Sequence, residues 1–108
     1  MIEFGEWQNI ELKVGIVQSA EEIEGKDKLY KLTVDVGEEE PRTLVAGIKQ
    51  FRTEEEMKGK QIIVVANLRP ANIGGIESNG MLLAVGKGAD DFALLTTDKE
   101  AKAGTRVE

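Results

Sequence analysis

Leu12, Val14 and Ile16 alternate with other residues through LKVGIV, 12–17, a period of two that predicts a β-strand with one apolar face. Gly15 inside it marks a bulge or a close approach by another part of the chain. The alternation is clearest in KLYKLTVDVG, 28–37, where Tyr30, Leu32, Val34 and Val36 interleave with Lys31, Thr33 and Asp35. That is a half-buried strand with Tyr30 on its core side. GEEEP, 37–41, reads as a turn, and TLVAGI, 43–48, as a third strand that is apolar on both faces.

The period then changes. In FRTEEEMKGK, Thr53 is followed three residues later by Glu56, the spacing of a capping box, and Gly59 ends the segment. A helix of about two turns is expected here. QIIVVANL, 61–68, predicts a fourth strand, stopped by Pro70. Gly74-Gly75 turns the chain, and GIESNGMLLAV, 75–85, returns as a fifth strand. FALLT, 92–96, and TRV, 105–107, are weaker strand candidates. Five short strands with a helix between the third and fourth is the order of an all-β, five-stranded barrel of the OB type, with extra strands at the ends.

Composition narrows the chemistry. The 108 residues suit one domain, residues 1–108, with a radius of gyration of roughly 13 Å. There is no cysteine and no histidine, so disulfides, thiolate nucleophiles, Ser–His dyads and the common zinc, haem and Fe–S sites lack their ligands. No metal or cofactor is expected, and a binding module is favoured over an enzyme. No apolar run approaches the ~20 residues of a membrane span, and MIEFGEWQNIE lacks the basic-then-apolar order of a signal peptide. A cytoplasmic protein is expected.

The net charge of −6 argues against indiscriminate nucleic-acid binding. Basic residues avoid the first 25 positions, where only Lys13 stands against six acids, and eight of the 14 fall between residues 26 and 60. Any anion-binding face must therefore be a local patch built from the middle of the chain and a few later residues.

The stretch NLRPANIGGIESNGM, 67–81, holds the candidates for such a patch. Gly74-Gly75 supplies positive φ in a turn. Gly80 within an expected strand marks a bulge or a close backbone approach. Ser78 is either a turn-capping hydroxyl or part of a small polar pocket on the barrel rim, and Met81 either core filler or a soft apolar contact. The Asn67 amide can bond local backbone or read a ribose hydroxyl or base edge. Arg69 suits a phosphate contact or a solvated turn.

These segments carry a resemblance. KDKLYKLTVDVG at 26–37, RTLVAGIKQF at 42–51, VVANLRPANIGGIESNGMLLA at 64–84 and the final GTRVE resemble, in order and spacing, the blocks of the tRNA-binding domain family. That family includes the C-terminal domain of methionyl-tRNA synthetases, a free-standing tRNA-binding protein and the endothelial monocyte-activating polypeptide. The resemblance implies an OB-fold that binds folded tRNA without base-sequence selectivity, often as a homodimer beside a methionyl-tRNA synthetase catalytic subunit. Carried over by position, the RNA-binding candidates are Lys28, Arg42, Asn67, Arg69, Ser78 and Met81. Two departures stand out. Asn72 and Gly74 occupy positions where the family is often basic, and Ile23-Glu24-Gly25 stands where a His-Pro often occurs. A secretion-related chaperone also resembles the family, so a peptide- or protein-binding dimer is the alternative.

The residues bear on the binding mode. Single-strand binders of this fold use aromatic platforms, yet this chain is 5% aromatic. Phosphate and ribose contacts to structured RNA suit it better than stacked single-stranded DNA. With about three cations on phosphate per protomer, a dimer would show a slope of log K on log salt of roughly −4 to −5. Phe4, Trp7, Ile10 and the apolar strand 61–68 are the candidates for its interface.

Overall fold

A computed structural model describes all residues, 1–108. β1 (Leu12–Ile23), β2 (Lys26–Asp35), β3 (Arg42–Ala46), β4 (Gln61–Val65) and β7 (Met81–Leu82) form an antiparallel sheet in the order β3-β2-β1-β4-β7. The sheet curls into a nearly closed barrel, the OB-type architecture that the strand pattern predicts. α1 (Phe4–Trp7) precedes it and α2 (Glu54–Met57) links β3 to β4. β5 (Ala71–Ile73) and β6 (Ile76–Ser78) make a separate hairpin, and β8 (Ala84–Val85) pairs with β9 (Ala93–Leu94). No helix is long and apolar enough to cross a membrane. The radius of gyration is 13.8 Å.

The barrel interior follows from the alternation. Tyr30, Leu32, Val34 and Val36 are buried in one core with Val17, Leu44, Met57, Ile62 and Val64. The Tyr30 hydroxyl donates to the Arg52 carbonyl at 2.8 Å, and burial is the main reason its pKa is raised. Gly15 is a close approach rather than a bulge. A Cβ there would stand 2.8 Å from Val34 Cγ1 and Val64 Cγ2, so only glycine lets β1 cross the narrow interior. The bulge in β1 falls later, between Val17 and Ser19, and lets the strand bend from β4 to β2.

A second, smaller core lies outside the barrel. Leu12, Val14 and Ile63 are covered there by Trp7, Leu83, Ala101 and Val107. The C-terminal segment reaches it by running beside β1: Val14 N–H donates to the Thr105 carbonyl at 2.9 Å, and Val107 N–H to the Leu12 carbonyl at 2.8 Å. The expected strand at 105–107 is thus a single bridge, Lys13 to Arg106.

Several boundaries differ from expectation. α2 is one turn, not two; its capping box is present, with Glu56 N–H donating to Thr53 Oγ1 at 3.1 Å and Thr53 N–H to Glu56 Oε1 at 2.8 Å. The Thr53 N–H, and secondarily the Thr53 side chain, holds the Glu56 carboxyl below its usual pKa. β4 stops at Val65 because Asn67 turns aside to bond the N-terminal segment. The expected fifth strand, 75–85, is broken into β6, β7 and β8. Gly80, at φ +122°, interrupts it. α1 and β5 carry no strong apolar period, and both escape the sequence reading.

Candidate nucleic-acid interface

β3 and β7 are the two edges of the barrel sheet, and the segment Ser78–Met81 lies along the seam between them. Ser78 is 3% exposed. Val45 N–H donates to its Oγ at 3.0 Å, and the hydroxyl donates to the Gly80 carbonyl at 2.9 Å. The next residue continues the closure, with Asn79 N–H donating to the Thr43 carbonyl at 2.8 Å. One hydroxyl and one amide thus do the work of a missing strand-to-strand ladder. Gly80 fits because a Cβ would stand 3.0 Å from the Val65 carbonyl oxygen. Met81 pairs with Val65 and packs half-buried on the main core.

Arg42 holds the same seam from its upper end. Its Nη1 donates to the carbonyls of Ala66, at 2.6 Å, and Asn79, at 3.3 Å. Nε and Nη2 form a fork on the Glu38 carboxylate at 2.9 and 2.8 Å. The bidentate bond from Arg42 pulls the Glu38 carboxyl below its usual pKa, and Glu38 in turn raises that of the guanidinium. Asn67 sits one residue beyond Ala66. Its Oδ1 accepts from Glu11 N–H at 3.0 Å and its Nδ2 donates to the Asn9 carbonyl at 2.6 Å, tying β4 to the N-terminal segment.

The six nominated residues therefore divide. Arg42, Asn67, Ser78 and Met81 come together around Ala66 and Asn79, but their polar groups are engaged within the protein. Lys28 and Arg69 are exposed and form no ion pair. They belong to different elements, Lys28 to β2 and Arg69 to the segment before β5. Arg69 precedes the β5–β6 hairpin, which lies along β3 through the Ser78–Val45 bond, while its tip reaches Leu29 and the aliphatic stem of Lys26 near Gly74. Lys28 stands in β2 between Lys26 and Leu29, the two residues that the tip touches, while Arg69 stands before the other end of the hairpin. The roles of Ser78 and Arg42 follow from contacts across long sequence distances, which spacing within 42–51 or 67–81 does not carry. Lys26 is an exposed cation that motif reading passed over; its place at the end of an alternating lysine row, 26 and 28, was the available signal.

Other features limit what the surface can bind. The Phe51 and Phe92 rings stack on each other at 4.6 Å, and the Arg52 guanidinium lies 4.9 Å from the Phe92 ring centre. Phe92 packs against the barrel core. The hollow of about 680 Å³ beside Phe51 is lined by Tyr30, Lys49 and Arg52 but also by Glu22, Glu54, Glu55 and Glu56, and Lys49 is paired with Glu22 at 2.6 Å. The bond to Glu22 raises the Lys49 pKa.

Comparison with known proteins agrees with this geometry. Residues 12–106 match the family described as "Putative tRNA binding domain". A methionine–tRNA ligase of Natronomonas pharaonis is 50% identical over 107 residues, 99% of this chain and 15% of the ligase. The chain thus spans about 15% of the length of such relatives. The crystal structure of a MetRS related protein from Pyrococcus horikoshii is 38% identical with a TM-score of 0.90, covering 100% of this chain and 98% of that one. The chaperone CsaA of Bacillus anthracis is 29% identical with a TM-score of 0.88, covering 100% and 99%. The barrel, its seam motif and the match along nearly its whole length place this chain in the tRNA-binding domain family.

Proposed function

We propose that this chain is a noncatalytic module that binds folded tRNA and serves a methionine–tRNA ligase, as its C-terminal domain or as a separate cytoplasmic subunit. Its effect would be to raise the local tRNA concentration at the enzyme. The observation that carries the reading is the 50% identity of 99% of this chain to a segment of such a ligase. The exposed cations Lys26, Lys28 and Arg69, at the two ends of one hairpin, supply phosphate contacts. Phe51 and Phe92 are stacked on each other, and no aromatic residue lies in the β5–β6 hairpin, which favours a sugar–phosphate surface over unstacked bases. Arg42, Asn67 and Ser78 act by holding the rim in shape. Filter binding at low salt tests this: folded tRNA should be retained, and retention of unstructured RNA to the same degree, or of neither, refutes it.

Two copies act together in this reading. Phe4 is 71% exposed, Ile10 41% and Leu68 47%. Beside them runs a groove of about 520 Å³ lined by Trp7, Ile10, Leu12, Val65, Leu68 and Leu83. A protruding apolar side chain and an apolar groove on one face meet the self-complementarity that a two-fold interface demands. The mass in solution should be twice that of the chain, and Phe4→Glu should halve it.

A peptide-binding, chaperone-like dimer is the second reading, favoured by the likeness to CsaA along the whole chain. Replacing Lys28 and Arg69 together would abolish RNA binding and spare peptide binding if both activities exist.

A further inference from the structure

We infer that Glu77 is a specificity-determining residue of this interface, a carboxylate that keeps phosphate off the middle of the β5–β6 hairpin. The inference rests on the RNA-binding reading above. The hairpin has three rungs, Ala71 with Ser78, Asn72 with Glu77, and Ile73 with Ile76. Ser78 faces inward and is buried, while Asn72 and Glu77 are exposed on the middle rung. Arg69 precedes the first rung, and the tip at Gly74 leans on Lys26 beyond the last. At ~3.3 Å per residue, the hairpin holds those cations roughly 17 Å apart, with Glu77 about midway.

Nothing within the chain accounts for the carboxylate. The ion pairs are Arg42 with Glu38 and Lys49 with Glu22, so Glu77 is not neutralised. The Asn72 side-chain oxygen accepts from Gly75 N–H at 3.1 Å, so the tip is held without Glu77. Its effect therefore falls on what approaches the surface.

A carboxylate accepts hydrogen bonds and repels phosphate. A phosphate held about 7 Å away would lose roughly threefold in affinity, and more where the contact excludes water. Folded RNA can avoid this penalty. It can place phosphates on Arg69 and Lys26 and lay a groove over the middle rung, where 2′-hydroxyls donate to Glu77. A flexible single strand has to carry its phosphates continuously across the rung. Glu77 thus selects rigid RNA whose phosphates are spaced to match the hairpin, with no base being read.

The test is the ratio of affinities of the intact chain and Glu77→Gln for folded tRNA and for oligouridylate, by fluorescence anisotropy at fixed low salt. The expected result is threefold or greater tightening of oligouridylate, with tRNA changed by less than twofold. Glu77→Lys should also steepen the oligouridylate salt slope by about 0.7 per protomer. Equal tightening of both RNAs, or of neither, overturns the inference while leaving the binding reading intact. If the parent chain binds neither RNA, both fall together. Thermal melts of the variants should match the parent, because the side chain is exposed and unpaired.

Discussion

Ser78 and Val45 are joined across the barrel seam, the Val45 amide donating to the Ser78 hydroxyl at 3.0 Å while that hydroxyl donates to Gly80 at 2.9 Å. The two residues are 33 positions apart in sequence. One side-chain oxygen therefore satisfies a buried edge amide that no neighbouring strand reaches. Ser78→Ala should cost about 1–3 kcal/mol, because it leaves the Val45 amide without a partner. Urea unfolding would measure the loss, and exchange of the Val45 amide with solvent should accelerate. Unchanged exchange would show that the hydroxyl does not close the seam.

Arg42 predicts a separation between stability and binding. Arg42→Lys keeps a positive charge, but its donors share one nitrogen and cannot span the fork on Glu38 together with the carbonyls of Ala66 and Asn79. The loss is expected to be about 2 kcal/mol of stability. The salt dependence of tRNA binding should stay that of the parent, measured below the melting range. A slope shallower by about one contact would place Arg42 on phosphate instead.

Lys28 and Arg69 should behave in the opposite way. With Arg42 engaged inside the protein, Lys26, Lys28 and Arg69 remain for phosphate in each protomer. A dimer would then show a slope of roughly −4 to −5, now carried by Lys26 in place of Arg42. Replacing Lys28 and Arg69 by alanine should remove most of that slope and leave the melting temperature unchanged.

Gly80→Ala tests the seam from the backbone side. Its φ of +122° and a virtual Cβ 3.0 Å from the Val65 carbonyl oppose any side chain. A loss of about 1–3 kcal/mol is expected, visible in denaturant melts. Gly75→Ala, where a Cβ would meet nothing within 4 Å, should cost less despite its positive φ of +88°.

Acid should loosen the Glu38–Arg42 fork. The Glu38 carboxyl has a lowered pKa in the folded chain, chiefly through the bond from Arg42. The unfolded chain therefore holds its proton more tightly, and stability falls as pH drops from about 4.3 through the lower folded value. Glu38 is 40% exposed, so solvent screening keeps the effect within about 1 kcal/mol. Melts of Glu38→Gln and the parent should converge below that range and diverge above it.

The alternation of Tyr30, Leu32, Val34 and Val36, and the capping pair Thr53 and Glu56, determined the barrel core and the position of α2 from the sequence alone. Those signals are local, because side-chain period and cap chemistry act within a few residues. The same locality explains the misses. α1 and the three-residue β5 are too short for a period, and β4 ends where Asn67 meets the N-terminal segment 56 residues away. The family resemblance brought Lys28, Arg42, Asn67, Arg69, Ser78 and Met81 to notice as one set. Only the tertiary structure decided that Arg42, Asn67 and Ser78 bond inward while Lys28 and Arg69 face solvent. A hydroxyl or guanidinium has the same donors in either role, and which partners it meets depends on strands that pairing brings together from distant parts of the chain.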